Sequence, residues 1–252
     1  MTSKFKEIIK RTLPPPVLKH LRLWIKKNIA RKGQHSVSMS QAGQDHWVYG
    51  EAFNERKNGF FLDVGAHDGV SLSNTFILEK RYKWNGICIE ANPKTFIALK
   101  ASRDSKCINA CIDKQSGSVR FVINAMIGGI LSKDCDNHRV NNNEIIEINT
   151  VPLQQLLIQE KAPSVIDYLS IDIEGAEDRA LLEFDFDAYR FNCITIERPS
   201  KQLRKLLMDK GYLIIKEIPG LDCFYIHADF KRDYFRNLLD FGNKKFHSKR
   251  WL

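Results

Sequence analysis

The run FLDVGAHDG (61–69) constrains this chain more than any other. An apolar strand ends on a carboxylate, Asp63, and then turns through Gly65 and Gly69 toward a helix. Gly65 allows the backbone to come close to a ligand, and a helix start offers free N–H groups. Beyond it, GICIEA (86–91) is a second apolar strand that ends on Glu90. An acid at that strand end accepts hydrogen bonds from the ribose hydroxyls of an adenosine-containing cofactor. In a doubly wound sheet, ligands sit outside the carboxyl ends of the strands, beside such a turn.

The remaining pattern agrees with an α/β fold. Helices are expected over SLSNTFILEKRY (71–82), from Pro93 to about Arg103, over Leu153–Glu160, from about Ala176, and over 200–210. Between them lie CINACI (107–112) as a third strand, SVRFVI (118–123) as an extra one and EIIEINTV (144–151) as an extended segment. IDYLSIDI (166–173) and FNCITIE (191–197) follow. YLIIKEI (212–218) and DCFYIH (222–227), joined by Pro219-Gly220, read as a closing antiparallel hairpin. Alternating strands and helices imply a mostly parallel sheet with helices on both faces. Residues 124–144, rich in Gly, Asn and Asp, read as a long loop, and loops of that length often cover a site.

Charge divides the chain. Residues 1–32 carry ten basic residues and one acid, which accounts for the whole net charge of +9. The body is neutral, which argues against a nucleic-acid surface. Within that end, Val17, Leu18, Leu21, Trp24, Ile25 and Ile29 share one helical face while Lys19, Arg22, Lys26 and Lys27 fill the other. Such a basic amphipathic helix can lie on an anionic membrane, or pack on the domain or a partner. Lys and Arg interrupt it too often for a signal peptide, and no apolar run is long enough to cross a bilayer. The six cysteines form no CxxC pair and read as reduced core residues of a cytoplasmic protein. The expected organisation is an N-terminal extension over 1–37, a catalytic domain over 38–230 and a helical tail over 231–252, with the oligomeric state open.

The acids select the ligand. A dinucleotide enzyme would show GxGxxG with a helix dipole aimed at pyrophosphate. Here position 67 is His, and Asp63 and Asp68 would repel phosphate. They suit the sulfonium and α-ammonium of S-adenosylmethionine (SAM). The competing classes are a nucleotide-dependent oxidoreductase or nucleotide-sugar enzyme on a similar sheet, and a non-catalytic SAM-binding module.

SQAGQD (40–45), FLDVGAHDGVSLSNT (61–75), LEK (78–80), WNGICIEANP (84–93), LSIDIEGAE (169–177), FDF (184–186) and ITIE (194–197) together resemble the FkbM family of SAM-dependent methyltransferases. The likeness spans about residues 38–228. It implies the class I SAM-methyltransferase fold, a Rossmann-like seven-stranded sheet with a terminal antiparallel strand. It also implies O-methylation of a hydroxyl of a sugar or natural product, such as a glycan or its precursor. By this resemblance Asp63, Gly65, Ala66, Asp68 and Gly69 would line the methionine part of the cofactor, with Ser73 and Asn74 nearby. Glu90 and Ala91 would hold the ribose and Ala110 would lie beside adenine, with Asp113 a further candidate there. His67 stands where Asn is frequent in the family.

Asp172, Glu174 and Glu197 end the fourth and fifth strands of the expected sheet, where the methyl group would face the acceptor. A carboxylate that removes the hydroxyl proton contributes roughly 10²–10⁴-fold. Asp172 is the first candidate, Glu174 the second, and His67 another base near neutral pH. Asp172 and Glu197 could instead hold Mg2+, which would acidify the hydroxyl. Glu197 could equally bond to substrate or to Arg198, and Glu177 and Asp178 read as favourable charges at a helix start. Gln41, Gln44 and Asp45 would fold over the pocket, while Trp47, Tyr49 and Phe53 read as packing residues. A lipid-linked sugar acceptor at the inner face of the membrane would suit the basic end.

Overall fold

The computed structural model describes residues 38–124, 127–137 and 143–248. The basic helix expected within 1–32 lies outside the described residues.

Period-2 alternation in β1 (Phe60–Val64) sets the two faces of the main sheet. Leu62 and Val64 join one buried cluster, and Phe61 joins another on the opposite face. The neighbours of β1 are β2 (Asn85–Glu90) and a later strand, and β2 pairs in turn with β3 (Lys106–Asn109). The chain then leaves the sheet. β4 (Cys111–Ile112), β5 (Gly117–Ile123), β6 (Gly129–Ile130) and β7 (Glu144–Val151) form a separate four-stranded sheet in the order β4-β7-β5-β6. β8 (Val165–Ile171) and β9 (Arg190–Glu197) return to the main sheet, and the hairpin β10 (Tyr212–Glu217) and β11 (Asp222–His227) completes it. The order is β10-β11-β9-β8-β1-β2-β3. β11 inserts antiparallel between β9 and β10, so the seven-stranded sheet is mostly parallel, as expected.

Helices cover both faces. One carries α1 (Gln44–His46), which continues as a π-helical turn (Trp47–Ala52), with α2 (Phe76–Lys80) and α3 (Pro93–Ser102). The other carries α4 (Leu153–Gln159), α5 (Glu177–Leu181) and α6 (Lys201–Asp209). The closing α7 (Lys231–Ser248) packs on the first face through Tyr234 and Phe241. Trp47, Tyr49 and Phe53 are core residues: Tyr49 stacks on Tyr82, and Trp47 meets Phe224 edge-on. All six cysteines are free thiols. Among the described residues no helix is long and apolar enough to cross a membrane.

Four expectations are corrected. The helix over 71–82 shortens to Phe76–Lys80 because side chains satisfy the preceding backbone. Asp68 accepts from Val70 N and Ser71 N, Ser73 Oγ accepts from Phe76 N, and Leu72 takes φ +54°. CINACI is two strands in two sheets, broken at Ala110. The run over 118–123 is no addition to the main sheet but the centre of the small one, paired with 144–151 along its length. The loop over 124–144 contributes β6 to that sheet; residues 125–126 and 138–142 lie outside the described residues.

Candidate active site

A cavity of about 310 Å³ opens at the carboxyl ends of β1, β2, β8 and β9, with β6 and the preceding residues forming a further wall. That volume suits a small-molecule site. Gly65 makes the floor. Its φ is +86°, and a Cβ there would fall 1.8 Å from the Asp172 carbonyl oxygen. Its N–H and that of Ala66 both donate to Ile89 O at 2.9 Å, tying the turn after β1 to the end of β2.

Two acids stand on the β1–β2 side. Asp63 is buried and accepts from the Thr75 hydroxyl; burial pushes its carboxyl up, against the Arg103 guanidinium 4.0 Å away. Glu90 accepts from His67 N and Asn92 N, both at 2.8 Å. Burial raises its carboxyl as well, with those N–H groups opposing. Ala66, Ala91, Ala110, Ser73 and Asn74 complete this side of the wall. Asn74 donates to Ser170 Oγ at 2.9 Å, while its Oδ1 is buried with no hydrogen-bond partner among the described residues.

Three more acids stand at the ends of β8 and β9. Asp172 has surface open to the cavity, but the protein around it displaces water. That desolvation, with Glu197 and Glu174 alongside, pushes its carboxyl up to about 9. Glu174, at φ +58°, is pushed up to about 7 by burial, then by Glu197 and Asp136, with Arg198 opposing. Glu177 is buried, accepts from Ile173 N at 2.7 Å and is pushed up to about 7 by burial. Arg198 pairs with Glu197 at 2.8 Å and with Asp136. Oxygens of Asp172, Glu177 and Glu197 lie within 4.8 Å of one another, as do those of Asp136, Glu174 and Glu197.

Five carboxylates, Asp63, Glu90, Asp172, Glu174 and Glu197, thus line one cavity, and among the described residues no Lys or Arg belongs to its wall. A pyrophosphate would meet no cation in that wall. An ammonium and a sulfonium would meet carboxyl acceptors, so the residues fit SAM.

The chain matches the Methyltransferase FkbM domain model over residues 63–214. It belongs to this family. No curated protein matches it. Among solved structures, the delta-N METTL16 methyltransferase domain aligns at 11% identity and TM-score 0.48, covering 85% of this chain and 96% of that one. A methyltransferase from Pyrococcus furiosus aligns at 14% identity and TM-score 0.40, covering 84% and 98%. The N-terminal domain of human METTL16, in complex with SAH, aligns at 10% identity and TM-score 0.37, covering 86% and 73%.

As an FkbM methyltransferase the protein is SAM-dependent, and its sequence-predicted residues divide cleanly in space. Asp63, Gly65, Ala66, His67, Ser73, Asn74, Glu90, Ala91, Ala110, Asp172, Glu174 and Glu197 share the cavity, with Gln41 and Gln44 beside them. Asp68 and Gly69 stay outside its wall. The Asp68 carboxylate is engaged by Val70 N, Ser71 N and Ser71 Oγ, and Gly69 faces α3, where a Cβ would strike Leu99 and Ser102. Asp113 is likewise outside the wall, holding Arg179 through two bonds at 2.8 and 2.6 Å. Asp45 is buried under Ser38, Met39 and Ser40, which it anchors. Desolvation and the neighbouring Glu197 and Glu174 push Asp172, the first candidate base, up to about 9.

Sequence reasoning missed Ser170, Asn92, Asn124, Leu72, Leu221 and the Gly128–Ile130 wall. Ser170 was accessible by strand alternation, two residues before Asp172. The Gly128-Gly129 pair stands in the long loop already read as a cover.

Proposed function

We propose that this FkbM methyltransferase moves the methyl group of SAM to a hydroxyl of a sugar in a glycan or glycan precursor. The observation that carries the reading is the acid cluster at β8 and β9, which borders the same cavity as Asp63 and Glu90. SAM supplies the electrophilic methyl group. The residues of this chain would do the rest. Glu90 and Asp63 would hold the donor, and Gln41 and Asn124 would offer a polyhydroxylated acceptor polar contacts. Glu174, pushed up to about 7, is matched to removing a hydroxyl proton near neutrality. Asp172, still protonated there, would donate a hydrogen bond to the acceptor. Positioning in line with the methyl group would supply much of the rate.

The oxygens of Asp172, Glu177 and Glu197, close enough to share a cation, support a second reading in which Mg2+ lowers the acceptor hydroxyl's pKa. Turnover lost in EDTA and restored by Mg2+ would select it; turnover unchanged in EDTA would remove it. The basic residues 1–32 would bring the enzyme to the inner face of an anionic membrane and to a lipid-linked acceptor.

Mass spectrometry of glycans from cells with and without the protein tests the main reading. A sugar heavier by one methylene only when the protein is present is the expected result. Identical glycan masses, with methyl transfer to a non-sugar acceptor, would overturn it.

A further inference from the structure

We propose that the outer face of α7 is a second docking surface for an anionic lipid bilayer. This deepens the reading in which the basic N-terminal segment meets a membrane, and rests on it.

The inner face of α7 is fully used. Tyr234 OH accepts from Trp47 Nε1 at 3.2 Å, Asn237 donates to Ala52 O at 2.7 Å, and the Phe241 ring fills the space above Gly50. The outer face leaves Phe235 45% and Leu239 68% exposed, one helical turn apart. Exposed Lys231, Arg232 and Arg236 surround them; Asp233 pairs with Arg236, and Asp240 is the other acid there. Apolar side chains bordered by basic ones on a helix are what an interfacial element presents to acidic headgroups.

Charge selects this occupant over a second copy of the chain. Residues 231–252 hold seven basic residues and two acids, and residues 1–32 hold ten and one. The 198 residues between them hold 22 basic residues and 27 acids. An anionic surface would therefore attract both ends and repel the body, which fixes one orientation. The first described residues lie close to α7. Ser38 and Ser40, where the N-terminal segment joins, are held by Asp45, and the neighbouring His46 ring lies 5.7 Å from Phe241 of α7. Gln41 and Gln44, in the same stretch, line the cavity. A bilayer against α7 would thus border the site that receives the acceptor.

Flotation of the full chain with phosphatidylcholine vesicles, with and without phosphatidylglycerol, tests this. Binding is expected only with phosphatidylglycerol, weakening in salt. F235S/L239S and R232E/R236E should each lower that partitioning about tenfold, while melting temperature and SAM binding by calorimetry stay as in the parent. Partitioning of both variants equal to the parent would overturn the proposal. So would a parent dimer that F235S/L239S dissociates with lipid binding unchanged, since the face would then belong to a second copy. Protection of residues 1–37 from protease that F235S/L239S abolishes, again with unchanged lipid binding, would assign the face to the chain's own N-terminus. SAM binding and methyl transfer to soluble sugars are read separately, so failure here leaves the enzymatic reading standing.

Discussion

Asp172 and Glu197 extend from adjacent parallel strands one residue past the Ile171–Ile196 pair, with carboxyl oxygens inside 4.8 Å. Desolvation and this neighbour raise the Asp172 carboxyl to about 9, so the folded state keeps a proton that the unfolded chain releases near ~3.9. The contribution of this group to stability is therefore complete below the unfolded value and declines as pH rises toward 9. Asp172→Asn, which still donates to Glu197, should raise Tm at pH 8 by a few degrees, at ~2–4 °C per kcal/mol for a domain of this size. The gain should vanish near pH 4. Calorimetric melts across that range check it, and an equal gain at both ends would refute the assignment.

Glu174 titrates at about 7, so methyl transfer should climb as pH rises through neutrality and level off above it. Glu174→Gln should lower kcat by roughly 10²–10⁴ and remove that limb, with SAM affinity unchanged. A retained limb in the variant would move the base to another group.

The fold was legible where burial dictates composition. β1, β2, β8 and β9 are covered on both faces and so read as continuous apolar runs. The start of α2 was not legible, because Asp68 and Ser73 compete for backbone N–H groups that the apolar spacing assigned to a helix. The small sheet was hidden for another reason. β5 pairs with β7 across twenty intervening residues, and that pairing depends on the whole fold rather than on local sequence. In the site, strand-end acids were legible as positions. Their protonation was not, since it follows from the register that brings Asp172 beside Glu197.

Glu90 and Asp68 look equivalent in sequence and should behave oppositely. Glu90→Gln weakens the acceptor for the His67 and Asn92 N–H groups at the cavity wall, and should cost about 10–100-fold in SAM affinity. Asp68 holds the turn from outside the cavity. Burial raises its carboxyl, but hydrogen bonds from His67 and Ser71 win and bring it to about 2. Its stabilisation is present above the unfolded value and is lost as pH falls toward 2. Asp68→Asn should lower Tm at pH 7 with SAM affinity little changed. Calorimetry and melting of both variants separate the roles; matching SAM losses would merge them.

Gly65→Ala tests the floor of the cavity. The new methyl would meet Asp172 O at 1.8 Å on a backbone at φ +86°, so the β1 turn and the end of β8 must part. The strained conformation alone costs of order 1–3 kcal/mol. A lower Tm is expected together with a SAM affinity too weak to measure. Normal SAM binding by the folded variant would show that the turn can yield without harm to the site.

Behind the cavity, Arg103 is completely buried and joins three elements. It donates to Glu79 at 2.9 Å and to the Thr75 hydroxyl at 2.9 Å, and Thr75 in turn donates to Asp63. Burial acts to raise Glu79, but Arg103, Lys80 and the hydrogen bonds from Ser105 and Asp104 together outweigh it, and the carboxyl is held at about 2. Its contribution to stability is present above the unfolded value, ~4.3, and is lost as pH falls toward 2. Arg103→Met leaves Asp63 without its cation and Glu79 with Lys80 alone, and should cost about 3–5 kcal/mol at pH 7. Adding Glu79→Gln should recover much of that loss, because the remaining buried charge is removed. The gap between parent and Arg103→Met should narrow from pH 5 to pH 3 as Glu79 becomes protonated in the variant and the parent loses its advantage. Denaturant melts at the two pH values measure it, and a gap independent of pH would mean that Arg103 acts through packing alone.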